Sequence, residues 1–413
     1  MTDITSGQRR SKMAKKKRSS RGISALSQTL AAIEKVGLKD DIVDLDINSL
    51  QESRPHITSG SVMIDRTIGG PKNPFGVIPC PGFPIGGIIN IYGHESSGKT
   101  TLCLATAAEV VKAGGSVLYV DWENEIVPSY AAQLGVDIAN TDGFQLLQPK
   151  TLEDGMKAIW SAAHFGVDLI VIDSVGAGIP KEWYEDQALK EKGNMGRVGL
   201  IAAKWSRFLP QVKAKLVENG GTCLAISQIR ANISTMGYGP KHTVQGGNIW
   251  KFQSAIRILL KKFKTLKTKE DDYFTGKKVE RPTGIVVRAK LEKCKVGATQ
   301  GNECDFYIRF GEGIDNISSY IDVAISYGLI ERKGAWHYYQ NTKGDRVSAQ
   351  GAENLRQQLM EDPESMDLLI QNTRDILFKN DGTAIPTSIG DEIGEDPEEM
   401  EEIDLDFPDG IDD

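Results

Sequence analysis

Apolar positions along the middle of the chain follow two alternating patterns. Short continuous apolar runs at Ile88–Tyr92, Val117–Val120, Leu169–Ile172 and Cys223–Ile226 read as strands covered on both faces. Between them the period lengthens, and helices are predicted to begin near Lys99, Leu152 and Val198. Pro210 is expected to kink the third of these or end it early. Strand–helix alternation predicts an α/β fold on a mainly parallel sheet with right-handed crossovers. Upstream, Ile23–Val36 reads as a short helix with Leu26, Leu30 and Ile33 on one face, followed by a polar stretch to about Ser59. Beyond about Ile317 the pattern is mixed. Ile321, Ala324 and Ile325 share one helix face, and Leu355, Leu359, Leu368 and Leu369 recur later, which predicts a small α/β C-terminal domain ending near Asn380.

With 413 residues, 40% hydrophobic and 25% charged, the composition is that of an ordinary soluble globular protein with room for two or three domains. No apolar run approaches the ~18 residues that span a bilayer. The basic N-terminus has no apolar region behind it, so it does not read as a secretory signal. The five cysteines, Cys80, Cys103, Cys223, Cys294 and Cys304, are scattered without a C-x-x-C pair. This argues against a disulfide framework or a zinc site and for a reducing cytosol. The five histidines form no H-E-x-x-H pattern.

The net charge of −7 conceals a segregation. Residues 1–21 carry eight Lys/Arg against Asp3, whereas residues 389–413 carry thirteen Asp/Glu and no Lys/Arg. Blocks of like charge are solvated tails. Two readings of each stay open: a solubility device, or a basic arm touching phosphate and an acidic tail competing with DNA for basic surface. The expected division is a basic disordered arm (1–22), an N-terminal helix and oligomerisation segment (23–58), a core (59–316), a C-terminal domain (317–380) and an acidic disordered tail (381–413).

Candidate chemistry lies at the ends of the predicted strands. Gly93, His94, Glu95, Ser96, Ser97, Gly98, Lys99 and Thr100 fit the phosphate-loop pattern G-x-x-x-x-G-K-[ST] between an apolar strand and a helix. Its backbone N–H groups would wrap phosphates, Lys99 would bridge the terminal ones, and the Thr100 hydroxyl would hold Mg²⁺. Asp173, ending another apolar strand, is the candidate to bind the magnesium through water. Glu123, just past the strand ending at Asp121, is placed to orient a water in line with the terminal phosphate. Spacing alone leaves open that it is a solvent-facing acid at a strand end.

Further stretches carry a resemblance. They include Ile57–Ser61, Ile85–Gly93, Glu95–Leu102, Tyr130–Asp137, Ser227–Arg230, Gly246–Asn248 with Lys251 and Phe252, Gly311–Ile314 and Gly334–Trp336. From about residue 25 to 380 the chain resembles bacterial-type RecA recombinases, with the motifs in order. The resemblance implies a RecA-like phosphate-loop ATPase core with an N-terminal polymerisation helix and a small C-terminal domain. It implies ATP and Mg²⁺ as cofactors, and a DNA-dependent ATPase that forms filaments on single-stranded DNA and drives strand exchange with homologous duplex. Glu123 falls at the water-activating glutamate, Thr101 in the nucleotide site, Tyr130 at the aromatic that stacks on adenine, and Gln228 at the γ-phosphate sensor. Lys293 and Lys295 fall at the paired lysines that reach the neighbouring subunit's ATP. A solvated basic strand edge is the open alternative for these two lysines.

Two segments resemble the family's DNA-binding loops. The first, between Ile179-Pro180 and Gly199, carries Lys190, Lys192 and Arg197, with Ser206 beyond it. The second runs from Ile229 to about Asn248 and holds Arg230, Ile233, Met236, Tyr238, Gly246, Gly247 and Asn248. Positive charge with apolar wedges and glycine suits backbone tracking and base stacking. Departures are longer loops, Val127 where the family has an adenine-facing Asp, Ala203 or Lys204 where it has an arginine, and an arm without counterpart. They mark a divergent member, and a phage-encoded one is among the origins left open. A single-strand-binding protein or loader is an expected partner, a membrane is not, and the expected location is the cytoplasm. A hexameric helicase and a recombination mediator without exchange activity are the alternatives.

Overall fold

The computed structural model describes residues 27–33, 35, 50–185, 194–231, 242–271 and 277–378. The chain divides into two units, 1–51 and 52–413. In the first, residues 27–33 are helical, within the stretch read as a helix. The basic arm, most of 23–58 and the acidic tail lie outside the described residues.

The second unit is built on a ten-stranded sheet. Its strands are β3 (Ile88–Gly93), β4 (Val117–Asp121), β5 (Phe144–Leu147), β6 (Leu169–Asp173), β7 (Thr222–Ala231), β8 (His242–Val244), β9 (Ile256–Asp271), β10 (Lys278–Cys294), β11 (Glu303–Arg309) and β12 (Gly313–Ile314). Nine of them follow the order β12-β11-β10-β9-β3-β7-β6-β4-β5, and β8 pairs with β7. Pairing is parallel from β9 through β3, β7, β6 and β4 to β5, and antiparallel from β9 through β10 and β11 to β12. The four strands read from the sequence are β3, β4, β6 and β7; β5 and the antiparallel flank were not anticipated. A two-stranded pairing of β1 (His56–Ile57) with β2 (Phe83–Pro84) precedes the main sheet.

The buried strands show why continuous apolar runs were needed. Alternate residues feed cores on opposite faces, as the two-residue period of a strand requires. Ile89, Ile91, Val171 and Leu224 pack with Leu102, Ala107 and Val111 of helix α2 (Lys99–Lys112), which follows α1 (Val62–Gly69). Ile88, Ile170, Ile172 and Ala225 pack with Met156, Ile159, Trp205, Phe208 and Val212. The latter come from α4 (Leu152–His164) and α6 (Asn194–Asn219), and the short α3 (Pro128–Gln133) and α5 (Lys181–Glu185) lie in the connections.

Pro210 neither ends nor shortens α6, which runs 26 residues through it. The proline ring is exposed, while Phe208, Leu209 and Val212 beside it are buried. Packing of these neighbours offsets the lost backbone hydrogen bond. The helix also begins four residues before Val198, at Asn194.

The C-terminal module comprises α8 (Asn316–Ser326), the antiparallel sheet β13 (Glu331–Lys333), β14 (Trp336–Gln340) and β15 (Arg346–Gln350), α9 (Ala352–Glu361) and α10 (Pro363–Phe378). Its core holds Ile321, Ala324, Leu355, Leu359 and Leu369, as the helical spacing required. Leu368 was expected among them and is instead 40% exposed, because the neighbouring Leu369 takes the inward position. The Asn316 side chain accepts from Val62 N at 3.1 Å and donates to Gly60 O at 2.9 Å, tying the module to the start of α1.

Candidate nucleotide and nucleic-acid site

The phosphate loop leaves the C-terminal end of β3, which is flanked by β7 and β9 near the middle of the sheet. Two left-handed residues, Ser96 at φ 56° and Gly98 at φ 87°, curl the loop, the kind of backbone that forms an anion-binding concavity. A Cβ at Gly98 would lie 2.3 Å from Ile308 Cδ1, so the glycine answers both the backbone angle and the close approach to the sheet. Helix α2 starts at Lys99 and aims its positive end at the loop. The buried Lys99 ammonium donates to His94 O at 2.8 Å and Gly93 O at 3.3 Å. Burial lowers its pKa, opposed by the nearby Asp173 and Glu123 carboxylates.

Asp173 ends β6 directly beside Asp121 at the end of β4. It accepts hydrogen bonds from Thr100 Oγ1 at 3.0 Å and Tyr119 OH at 2.8 Å. Burial pushes its pKa up to about 6; the two hydroxyls oppose the rise and the Glu123 charge adds to it. A buried carboxylate beside a Thr hydroxyl and a phosphate cradle is the oxygen set that Mg²⁺ takes together with nucleotide phosphates. The residues present therefore fit Mg²⁺–ATP, and Thr100 and Asp173 are the side chains that would face the metal.

Glu123 is held by one partner just past the end of β6 and one within β7. Ser174 Oγ donates to Glu123 Oε1 at 2.5 Å and Gln228 Nε2 donates to the same oxygen at 3.2 Å. Asp121 frames the turn beneath it, accepting from the backbone N–H groups of Glu123, Asn124 and Ile126. Ser174, Tyr119 and Asp121 were missed by sequence reasoning. Asp121 and Ser174 adjoin recognised acids, a signal that was available; Tyr119 carried none. Tyr130, on α3, meets the α2 residue Thr101 at 3.1 Å between hydroxyls. Val127 is 55% exposed.

Lys293 and Lys295 are not brought to the chain's own phosphate loop. Lys293 pairs with Arg257, three residues before Leu260, which pairs with Gly93. Its ammonium donates to the carbonyls of Lys251 at 2.5 Å and Phe252 at 3.1 Å, in α7 (Ile249–Gln253). Partial burial and the charges of Lys295, Arg257 and Lys213 lower its pKa.

Neither segment that resembles a DNA-binding loop is a plain loop. The first begins with α5, and α6 takes over from Asn194, so Arg197, Gly199 and Ser206 lie on a helix. Residues 186–193, including Lys190 and Lys192, lie outside the described residues. Gly199 is exposed with open space about its α-carbon, and Ser206 Oγ donates to Ala202 O at 2.6 Å. Ala203 is exposed, while Lys204 is buried and ion-paired, so Lys204 does not stand in for a surface arginine. The second segment continues β7 through Arg230 to Ala231 and returns as the antiparallel β8. Ile233, Met236 and Tyr238 lie outside the described residues. Gly246 and Gly247 are left-handed at φ 87° and 86°, and a Cβ on Gly246 would lie 2.7 Å from both Val175 Cγ2 and Trp250 Nε1. Asn248 precedes α7, whose Trp250 packs on Trp205 of α6.

Family models describe the chain in the same order. The RecA N-terminal domain matches residues 24–315 and the RecA C-terminal domain matches residues 318–377. The chain belongs to the RecA family. Protein RecA of Corynebacterium glutamicum is 35% identical over 382 residues, covering 91% of this chain and 90% of the relative. That of Nostoc punctiforme is 36% identical over 352 residues, covering 84% and 87%. That of Heliobacterium modesticaldum is 36% identical over 344 residues, covering 83% and 89%. This RecA-family chain is a DNA-dependent ATPase that uses ATP and Mg²⁺. It assembles with itself into filaments on single-stranded DNA and catalyses homologous pairing and strand exchange in recombination and repair. Among the described residues no helix is long and apolar enough to cross a membrane.

Proposed function

We propose that Glu123 positions the attacking water and that Gln228 links that carboxylate to DNA. The observation that carries this is the shared Glu123 oxygen, which takes hydrogen bonds from both Gln228 and Ser174. Gln228 sits on β7, the strand that runs on into the second DNA segment, so one rigid element touches both sites. A change in the pairing of β7 with β8 then alters the donor that orients Glu123. Bound Mg²⁺ supplies charge that offsets the negative charge developing on the phosphate oxygens. Lys99 adds a cation at the terminal phosphates, and Thr100 and Asp173 hold the metal side of the site. Tyr130 stacks on the adenine.

Lys293 and Lys295 act on the ATP of the adjoining subunit. Their distance from the chain's own loop and their cluster with Arg257 and Lys213 support this reading, because like charges gathered at one end of a sheet favour an anion from outside. The helix around residues 27–33 docks on the next subunit. Arg197, Gly199, Ser206, Arg230, Ile233, Met236, Tyr238 and the Gly246–Asn248 turn track the single strand, and a single-strand-binding protein or loader delivers it. The five free cysteines agree with action in the cytoplasm, a host's cytoplasm for a phage-encoded member.

The test is strand exchange between homologous substrates with and without ATP, run on wild type, Gln228→Ala and Lys293→Ala. Gln228→Ala should bind ATP and lose most DNA-stimulated turnover. Mixing Lys293→Ala with Lys99→Ala subunits should recover activity at mixed interfaces. No recovery despite confirmed co-assembly removes the shared site, and undiminished stimulation in Gln228→Ala removes the sensor.

A further inference from the structure

Lys204 and Glu153 form an ion pair at 3.1 Å with side chains only 7% and 3% exposed. Two charges this deep are costly to desolvate, and replacing such a pair by apolar groups is often neutral, so stability is a weak reason for one. The surroundings supply another. Lys204 lies on α6, just after the first candidate DNA segment, and also pairs with Glu182 of α5, at the start of that segment, at 3.3 Å. The second oxygen of Glu153 accepts from Lys181 N at 2.8 Å. One buried pair therefore gathers both flanks of residues 186–193 onto the first turn of α4.

That turn adjoins the catalytic glutamate. Thr151, the N-cap of α4, accepts from Trp122 Nε1 at 3.0 Å, and Trp122 is the residue before Glu123. Trp205, the residue after Lys204, stands edge-on to Trp122 at 6.2 Å and donates through Nε1 to Val175 O at 3.0 Å. Val175 follows Ser174, which holds Glu123. A shift of α6 thus reaches both supports of the carboxylate. We propose that Lys204 is a positioning residue whose ion pairs with Glu153 and Glu182 make ATP hydrolysis respond to DNA bound along α6. The proposal rests on the reading that Arg197, Gly199 and Ser206 of α6 contact DNA, and it is a route separate from Gln228.

The experiment compares full-length wild type, Lys204→Arg, Lys204→Met, and Lys204→Met combined with Glu153→Leu, which removes both members of the buried pair and leaves only the more exposed Glu182. ATP turnover is measured with and without saturating single-stranded DNA, beside DNA affinity by anisotropy. In both Met variants DNA-free turnover and the KM for ATP should stay near wild type while DNA-stimulated kcat falls about tenfold, with DNA affinity within about threefold. Lys204→Arg should restore most of the stimulation. Full stimulation in the double variant overturns the proposal, as does a loss of affinity that accounts for the loss of kcat. Hydrogen exchange of wild type on adding single-stranded DNA gives a reading independent of variant folding. Protection should appear together at residues 194–204, 151–155 and 122–124, and protection confined to 194–204 overturns the proposal. Arg197→Ala tests the underlying reading. Unchanged DNA affinity there removes the contact itself, whereas weakened affinity with intact coupling in the Lys204 variants removes the proposal alone.

Discussion

Asp173, at the nucleotide edge of the sheet, and Asp315, where the C-terminal module joins it, are both buried carboxylates. Their surroundings drive them in opposite directions. Burial raises Asp173 to about 6, and among the described residues its donors are two hydroxyls, Thr100 and Tyr119. Burial would raise Asp315 as well, but hydrogen bonds from Ser318 and Arg309 outweigh it and hold the group below its ordinary value. Arg309 Nε lies 2.6 Å and Arg356 Nε 3.0 Å from the same Asp315 oxygen, and Glu353 and Glu312 in turn pair with the two arginines. The chain completes the structural site with its own cations. It leaves Asp173 short of positive charge, and on the proposed reading that shortfall is what a metal ion held with the nucleotide would relieve.

The comparison is tested most severely at Lys99. Lys99→Ala should abolish ATP hydrolysis and strand exchange, a loss of at least about a hundredfold, with the melting transition intact because the loop is built from backbone. Wild-type turnover in this variant would sink the nucleotide site. Glu123→Gln should bind ATP and hydrolyse it about a hundredfold more slowly, holding the DNA-bound filament in its active form. Single-turnover hydrolysis within a few-fold of wild type would assign the water to another residue.

Exchanging each carboxylate for its amide sharpens the contrast. In nucleotide-free protein at neutral pH, Asp173→Asn should stabilise by up to about 3 kcal/mol, the equivalent of the raised pKa, and should lose the stabilisation that Mg²⁺ with a slow ATP analogue gives wild type. Asp315→Asn should destabilise by about 3 kcal/mol, since it removes the carboxylate that Arg309 and Arg356 share and leaves each with one more exposed partner, and should leave the nucleotide effect unchanged. Denaturant melts of both variants decide it, and shifts in the same direction would break the comparison.

The smallest effect is in the pH dependence. A raised pKa contributes stability that is complete below the ordinary carboxylate value and is lost as pH rises through about 6. A depressed pKa contributes stability present above the ordinary value and lost as pH falls through the folded one. The stability gap between wild type and Asp173→Asn should therefore widen from pH 5 to pH 7. The gap for Asp315→Asn should stay flat over that window and close only in stronger acid. A flat profile for Asp173→Asn would mean that its carboxylate is already neutralised within the chain.

The sequence by itself determined whatever depends on near neighbours. The phosphate loop, the four buried strands and the apolar faces of α8 and α9 were legible because glycine angles, two-residue alternation and helical spacing are local constraints. The resemblance placed Glu123 and Gln228, but no spacing shows that they share one hydrogen bond across 105 positions, or that Ser174, 51 positions from Glu123, joins them. Those contacts follow from strand order, in which β4, β6 and β7 lie side by side although long crossovers separate them in the chain. The antiparallel flank was hidden for a related reason. Half-exposed strands such as β9 carry lysines at Lys261, Lys262 and Lys264 where the central strands are apolar, so the continuous-run signal fails there. Only the tertiary structure decided that Lys204 is buried rather than on the surface, that α6 runs through Pro210, and that Asp173 and Asp315 shift oppositely. Burial and the placement of distant charges set each of these, and neither is a property of the residue or its neighbours in sequence.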